Sequence, residues 1–319
     1  MRPYFCALAC LLTLASTTLA ESPAPATERT TEGVVYVIPV KDMIERALVY
    51  AMRRGINEAI AQHASAIIFD MDTPGGRLDA TEDIVNMIGE LNIKTYTFVN
   101  PRAFSAGAII AMSTDHIYMT PGGLIGDAMP IMMSPLPLGE PQAMPSDIKE
   151  KAVSPTAALI RSAAQRKGHD PALAEAMVRA ENGYTTVDGK VICPTNRLLT
   201  LTAAEAEQKV GPDQRPLLSS GTVKDMNELL ATIGKSKSRV GTVSVTTAEQ
   251  IARVIDGFPV SGILLALGLL ALYVEFKTPG FGLPGIAGIL LLAIWFWGHH
   301  IAGLAGMGEI VLFALGTVL

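Results

Sequence analysis

Cysteine is scarce in these 319 residues, with three in all, Cys6, Cys10 and Cys193. Two of them fall at the extreme N-terminus, so no internal disulfide framework is available to the rest of the chain. Histidine is nearly as scarce, with five in total. Basic excess is lacking as well: 25 Lys+Arg against 30 Asp+Glu leave a net charge of −5, which argues against a nucleic-acid surface. No repeat period appears, which excludes collagen, coiled coil and solenoid arrays. The most telling absence is local. From residue 259 to 319 only Glu275, Lys277 and Glu309 carry charge, so polarity is segregated along the chain, and the mean hydropathy of +0.35 is too apolar for an ordinary soluble domain. A globular domain with a membrane tail remains.

The N-terminus has the parts of an export signal. Arg2 supplies the positive start, Phe5 to Leu14 a short apolar run, and Thr18-Leu19-Ala20 a small-residue cleavage site. Residues 1–20 are therefore expected to be a signal peptide, and 21–32, rich in Pro, Ala, Thr and Ser, a flexible leader. Cys193 would then be the one thiol of the mature chain, a small buried hydrophobe with no base near it in sequence. At the other end Phe258 to Val274 is uncharged and long enough to span a bilayer with its flanks, Pro279 to Gly285 breaks it, and Ile286 to Ile301 forms a second span. Trp295 and Trp297 near its end suit an aromatic belt. Ile310 to Leu319 begins a third span, so the chain is expected to be a shortened version of a longer protein. The export signal places the domain of residues 33–257 outside the cytoplasm, with 258–319 as the transmembrane region.

Within that domain, strand and helix signals alternate. Val34–Val40 and Ala66–Met71 are apolar runs of strand length, and Ile44, Leu48, Met52, Ile56 and Ile60 recur at helical spacing between them. A second helix over 79–91, a strand over Thr95–Val99, an apolar helix over Ala108–Met112 and a strand over Asp115–Met119 continue the alternation. This order predicts a parallel α/β core. Two helices broken at Gly168–Pro171 are expected over 147–182, and short helical pieces over 195–233.

Open sheets of this kind place ligand sites at strand ends. Gly75-Gly76 follows the second strand, and a glycine pair there allows two backbone N–H groups to face one space, as an oxyanion hole requires, although an ordinary tight turn has the same composition. Ser105 stands among Ala103, Ala106 and Gly107, small residues that permit a sharp strand-to-helix turn presenting a hydroxyl. Spacing alone leaves a nucleophile and a helix cap as equal readings of Ser105. A nucleophilic serine needs a base. His63, His116 and His169 suit structural or solvated roles better than catalysis, with His116 kept as a triad candidate. A lysine is the alternative base where its pKa is lowered toward neutrality, and Lys149 and Lys151 open an amphipathic helix.

The runs Asp72-Thr73-Pro74-Gly75-Gly76-Arg77, Phe104-Ser105-Ala106-Gly107-Ala108 and Thr120-Pro121-Gly122-Gly123-Leu124-Ile125-Gly126 together resemble the NfeD family of membrane-bound serine proteases, relatives of Clp protease and signal peptide peptidase A. Leu198 to Ala206 and the Glu275 to Gly282 turn extend the resemblance over nearly the whole chain. It implies a ClpP/crotonase-like β-α superhelix domain followed by a C-terminal transmembrane region. It further implies a Ser-Lys dyad, with Ser105 as nucleophile and Lys151 as base by its spacing to Leu159–Gln165, Lys149 being the second choice. Gly76 and Ala106 would donate to the oxyanion and Gly75 would shape the turn. Asp127 departs from the small neutral residue usual in the family. The resemblance implies no cofactor and no metal, an apolar peptide substrate, a stomatin- or flotillin-like membrane partner and a homodimer or higher homo-oligomer. The protein would lie in the inner (plasma) membrane, multi-pass, with its protease domain periplasmic. Residues 129–145, rich in Met and Pro, are expected to form a lid or substrate flap. A non-catalytic membrane scaffold is the alternative function, and an acyl-CoA enzyme is disfavoured by export.

Overall fold

The computed structural model describes residues 33–131, 146–243, 247–257, 259–277 and 282–301, with 308 and 311 besides. The signal peptide, the leader, most of the expected flap and all but Val311 of the expected third span lie outside the described residues. The domain begins with β1 (Val34–Ile44), α1 (Arg46–Ala61), β2 (Ala66–Gly76), α2 (Leu78–Gly89), β3 (Thr95–Phe104), α3 (Ala106–Ala111), β4 (His116–Met119) and β5 (Leu124–Gly126). Then follow α4 (Ser146–Lys167), α5 (Pro171–Ala176), β6 (Tyr184–Thr185), β7 (Val191–Cys193), β8 (Thr200–Thr202) and α6 (Ala203–Ala206). The rest comprises β9 (Lys209–Val210), β10 (Arg215–Pro216), β11 (Gly221–Thr222), α7 (Met226–Thr232), β12 (Arg239–Thr242), α8 (Thr247–Asp256), α9 (Val260–Lys277) and α10 (Leu283–Ile301).

Six strands pair in the order β11-β4-β3-β2-β1-β12, and β5 joins β3 and β8 to complete one sheet. The six are parallel throughout, as the alternation of elements predicts; only β8 runs antiparallel, against β5. Successive side chains of each strand face opposite sides. Ile38, Val40, Ile67, Phe69 and Met71 point into the larger core under α1 to α5, whereas Val35, Val37, Ile68 and Phe98 meet Leu229 and Leu230 of α7 on the other face. Being buried on both faces is why these strands read as unbroken apolar runs.

Strand ends differ from the expectation. The Asp72–Gly76 segment is not a turn that terminates β2; it continues the strand, with Lys41 opposite Asp72, Met43 opposite Gly75 and Ile44 opposite Gly76. β3 likewise runs on to Phe104. Hydrogen bonding to a neighbouring strand overrides the local preference of Pro and Gly for turns. The segment 195–233 holds short strands as well as helices, and their two- or three-residue length leaves too little pattern to read.

α9 and α10 are both long and apolar enough to cross a membrane, about 27 Å for 18 residues at 1.5 Å each. Trp297 is exposed on α10, but Trp295 turns inward, its indole N–H donating to Ser261 Oγ at 3.0 Å.

Candidate active site

Ser105 joins β3 to α3 with φ 52° and ψ −119°. A residue with a Cβ seldom holds positive φ unless its surroundings enforce it. Here its N–H donates to Gly126 O at 3.0 Å, and its carbonyl accepts from Ala108 and Ile109. The side chain does not cap α3, and among the described residues its hydroxyl has no hydrogen-bond partner. Geometry thus removes the helix-cap role and leaves a half-buried hydroxyl lifted on a sharp strand-to-helix turn, the arrangement of a nucleophile elbow.

Gly75 lies directly against this turn. It has φ +112°, and a Cβ placed on it would sit 2.5 Å from Ser105 Cβ and 3.4 Å from Ala106 N. Its own N–H donates to Thr73 Oγ1 at 3.0 Å, so it shapes the strand end. Gly76 backs onto β1, where an added Cβ would come 2.0 Å from Ile44 O. Ala106 is the first residue of α3, so its N–H has no acceptor within the helix, and no other partner occurs among the described residues. Thr73, overlooked by the sequence reading, ties this corner to β1 through a bond to Asp42 O at 2.5 Å.

α4 packs on α2, α3 and α5. Lys167 at its C-terminus pairs with Asp115, which precedes β4 and therefore marks the strands' N-terminal edge. Lys151 stands about 24 Å back along the helix from Lys167. A chain of contacts joins this end of α4 to the Ser105 turn: Arg179 donates to both carboxylate oxygens of Glu150, and Ala128, two residues past Gly126, donates to Met177 O at 2.7 Å. Arg179 holds the Glu150 carboxyl below its usual range. Arg179 takes both oxygens of Glu150, Lys149 acts on that carboxylate at longer range, and among the described residues neither Lys149 nor Lys151 forms a close ion pair. The two lysines differ in setting. Lys149 is half-buried on the stripe that continues through Val153, Thr156, Ala157 and Ile160 into the core, whereas Lys151 is exposed on the stripe of Ser154, Pro155 and Ala158. Asp127 is exposed at φ 49° and pairs with neither lysine.

The histidines lie elsewhere. His116 is opposite Tyr96 at the start of β3 and stacks on it at 5.4 Å. Ser105 follows the other end of that strand, about 30 Å away at the usual rise per residue, so His116 is not part of its site. His169 Nε2 lies 2.8 Å from Thr114 O, and burial pushes its pKa down. His63 is exposed at the end of α1. Cys193 is buried and its thiol pushed up by burial, as a small hydrophobe should be. No group of His, Cys, Asp and Glu suited to a metal occurs among the described residues.

Fold and site together define a class: a mostly parallel α/β domain with a serine on a strained strand-to-helix turn, followed by two apolar helices long enough to span a membrane. The chain belongs to the NfeD family. Residues 34–243 match the NfeD1b N-terminal domain, and residues 259–319 the NfeD integral membrane domain. It is 37% identical over 286 residues to membrane protein NfeD1b of Bacillus subtilis, covering 89% of this chain and 60% of that protein. It is 29% identical over 313 residues to membrane-bound protease PH1510 of Pyrococcus horikoshii, covering 90% of this chain and 64% of that one. The chain thus spans less than two thirds of either relative. Among solved structures, it resembles a lysine-to-alanine variant of the 1510-N membrane-bound stomatin-specific protease in complex with a substrate peptide. The TM-score is 0.55 at 26% identity, over 70% of this chain and 97% of that one. A serine-to-alanine variant of the same protease gives 0.51 at 27% identity, over 67% and 99%.

Proposed function

We propose that the protein is a membrane-anchored serine endopeptidase with Ser105 as nucleophile and Lys151 as general base. The observation that carries this reading is the strained turn at Ser105 with its unbonded hydroxyl beside Gly75. Ser105 Oγ attacks a peptide carbonyl as the neutral Lys151 amine accepts its proton. The same amine returns the proton to the departing nitrogen, and water then hydrolyses the acyl-serine with Lys151 as base again. The N–H groups of Gly76 and Ala106 stabilise the oxyanion, each contributing a factor of about 10² to 10³ in rate, while Gly75 shapes the turn. Lys149, on the core-facing stripe, is the second candidate base. No cofactor enters this chemistry.

The substrate in this reading is an apolar peptide segment of a stomatin- or flotillin-like membrane protein. Support comes from the relative described as stomatin-specific and from exposed apolar side chains near the site, Met43, Leu78 and Ile131. The protein sits in the inner (plasma) membrane with more than one span, its 33–257 domain on the periplasmic side, and works as a homodimer or larger homo-oligomer. The test is covalent. In the full chain, a serine-reactive phosphonate should modify Ser105, and Ser105→Ala should lose labelling and about 10⁶-fold in turnover of an apolar peptide. Wild-type cleavage by Ser105→Ala would overturn Ser105 as nucleophile, and a wild-type chain that neither labels nor cleaves would leave the scaffold reading, in which the hairpin gathers the partner.

A further inference from the structure

β1 does not enter the site smoothly. Its pairing with β2 shifts register between Lys41 and Met43, and Asp42 between them stands at φ 64°, a conformation that costs a residue with a side chain. Three successive carbonyls of this bulge are held from outside. Thr73 Oγ1 donates to Asp42 O at 2.5 Å, and Arg253 Nη2 donates to Lys41 O at 3.0 Å and to Met43 O at 3.3 Å. Arg253 Nε is also bonded to the Glu45 carboxylate just beyond. The next residues, Met43 and Ile44, are those that face Gly75 and Gly76, and Gly75 lies against Ser105. Arg253 itself comes from α8, the last helix before the apolar pair. α8 packs on α10, where Ile255 occupies the space over Gly298; a Cβ there would come 2.3 Å from Ile255 Cγ2.

We infer that Arg253 is a positioning residue for the oxyanion strand, and that through it the membrane hairpin sets the geometry around Ser105. This deepens the endopeptidase reading and rests on it. A guanidinium is suited to the role because its planar fork satisfies two carbonyls and a carboxylate together, which an ammonium on a flexible stem does not. Without it the bulge relaxes, Met43 and Ile44 move, and Gly75 and Gly76 move with them. A displacement near 1 Å at such a site costs on the order of 100-fold in turnover.

The experiment uses the full chain in detergent micelles. Phosphonate titration counts competent sites, peptide cleavage gives kcat and KM, and hydrogen exchange follows the amides of Gly76 and Arg77. Arg253→Ala should lower kcat per titrated site by about 10- to 100-fold, leave KM within about twofold, and speed exchange at those two amides, with Arg253→Lys in between. Gly298→Leu, inside the apolar hairpin, should shift kcat and exchange in the same direction. Wild-type kcat per titrated site in Arg253→Ala, or unchanged exchange at Gly76 and Arg77, overturns the proposal. If the wild-type chain neither labels nor cleaves, the endopeptidase reading fails, and exchange alone decides whether Arg253 holds the strand.

Discussion

Ser105 holds a backbone conformation that its side chain opposes, and Gly75 is what makes room for it. Gly75→Ala should therefore damage both sides of the contact. At φ +112° an alanine is strained by about 1 to 3 kcal/mol, and its methyl would push against Ser105. Calorimetry should show a lower Tm, with peptide cleavage lost; a variant with unchanged Tm and activity would mean that the turn tolerates a side chain. The small residues around Ser105 are plain in the sequence, but its φ is not, because it goes with a hydrogen bond that its N–H donates to the Gly126 carbonyl of β5, far along the chain. His169 gives a second expectation at this scale. Burial favours its neutral ring in the folded state, whereas in the unfolded chain the ring titrates near 6.5. Below that pH the unfolded state binds a proton that the folded state refuses, so stability falls as pH falls; above it neither state is protonated and nothing is contributed. His169→Gln should flatten part of the drop in Tm between pH 7.5 and 5.5, the rest belonging in part to His116, which burial shifts the same way. An equal drop in both proteins would show that His169 plays no part.

At the scale of elements, α4 carries the open choice of base. Its helical period sends Lys149 and Lys151 to different stripes, and Arg179 takes both oxygens of Glu150 between them. Lys151→Ala should lower turnover by at least about 10⁴-fold, as loss of a proton acceptor in a coupled pair does, whereas Lys149→Ala should fall within about tenfold. The reverse ranking, read from kcat per folded protein, would transfer the role to Lys149. The position of α4 was legible as an amphipathic run, but its direction across the sheet was not, since that follows from the Lys167–Asp115 pair across 52 residues. α8 is amphipathic in sequence, but its packing partners were not legible there. Only ten residues long, it gains its place by packing on α1 and α10.

For the whole molecule, the expected orientation puts the sheet domain outside the cytoplasm. In spheroplasts, a membrane-impermeant amine reagent should modify exposed Lys209 and Lys224 without lysis; protection until lysis would reverse the topology. The two-sided core makes a further expectation. Phe69 is completely buried between β2 and the helices above it, so Phe69→Ala should destabilise the domain by about 3 to 5 kcal/mol, while Val187→Ala at an exposed loop should shift Tm hardly at all.

Apolar runs, glycine pairs and the barren stretch after residue 258 determined by themselves that this chain has an α/β domain joined to apolar helices of spanning length, because burial of side chains is written into local period and composition. Tertiary structure alone decided that the Gly75-Gly76 segment is strand, that Ser105 does not cap its helix, and that Arg253 grips the β1 bulge. Each of those depends on hydrogen bonds between residues far apart in the chain, and no local pattern encodes which carbonyl a distant donor will find.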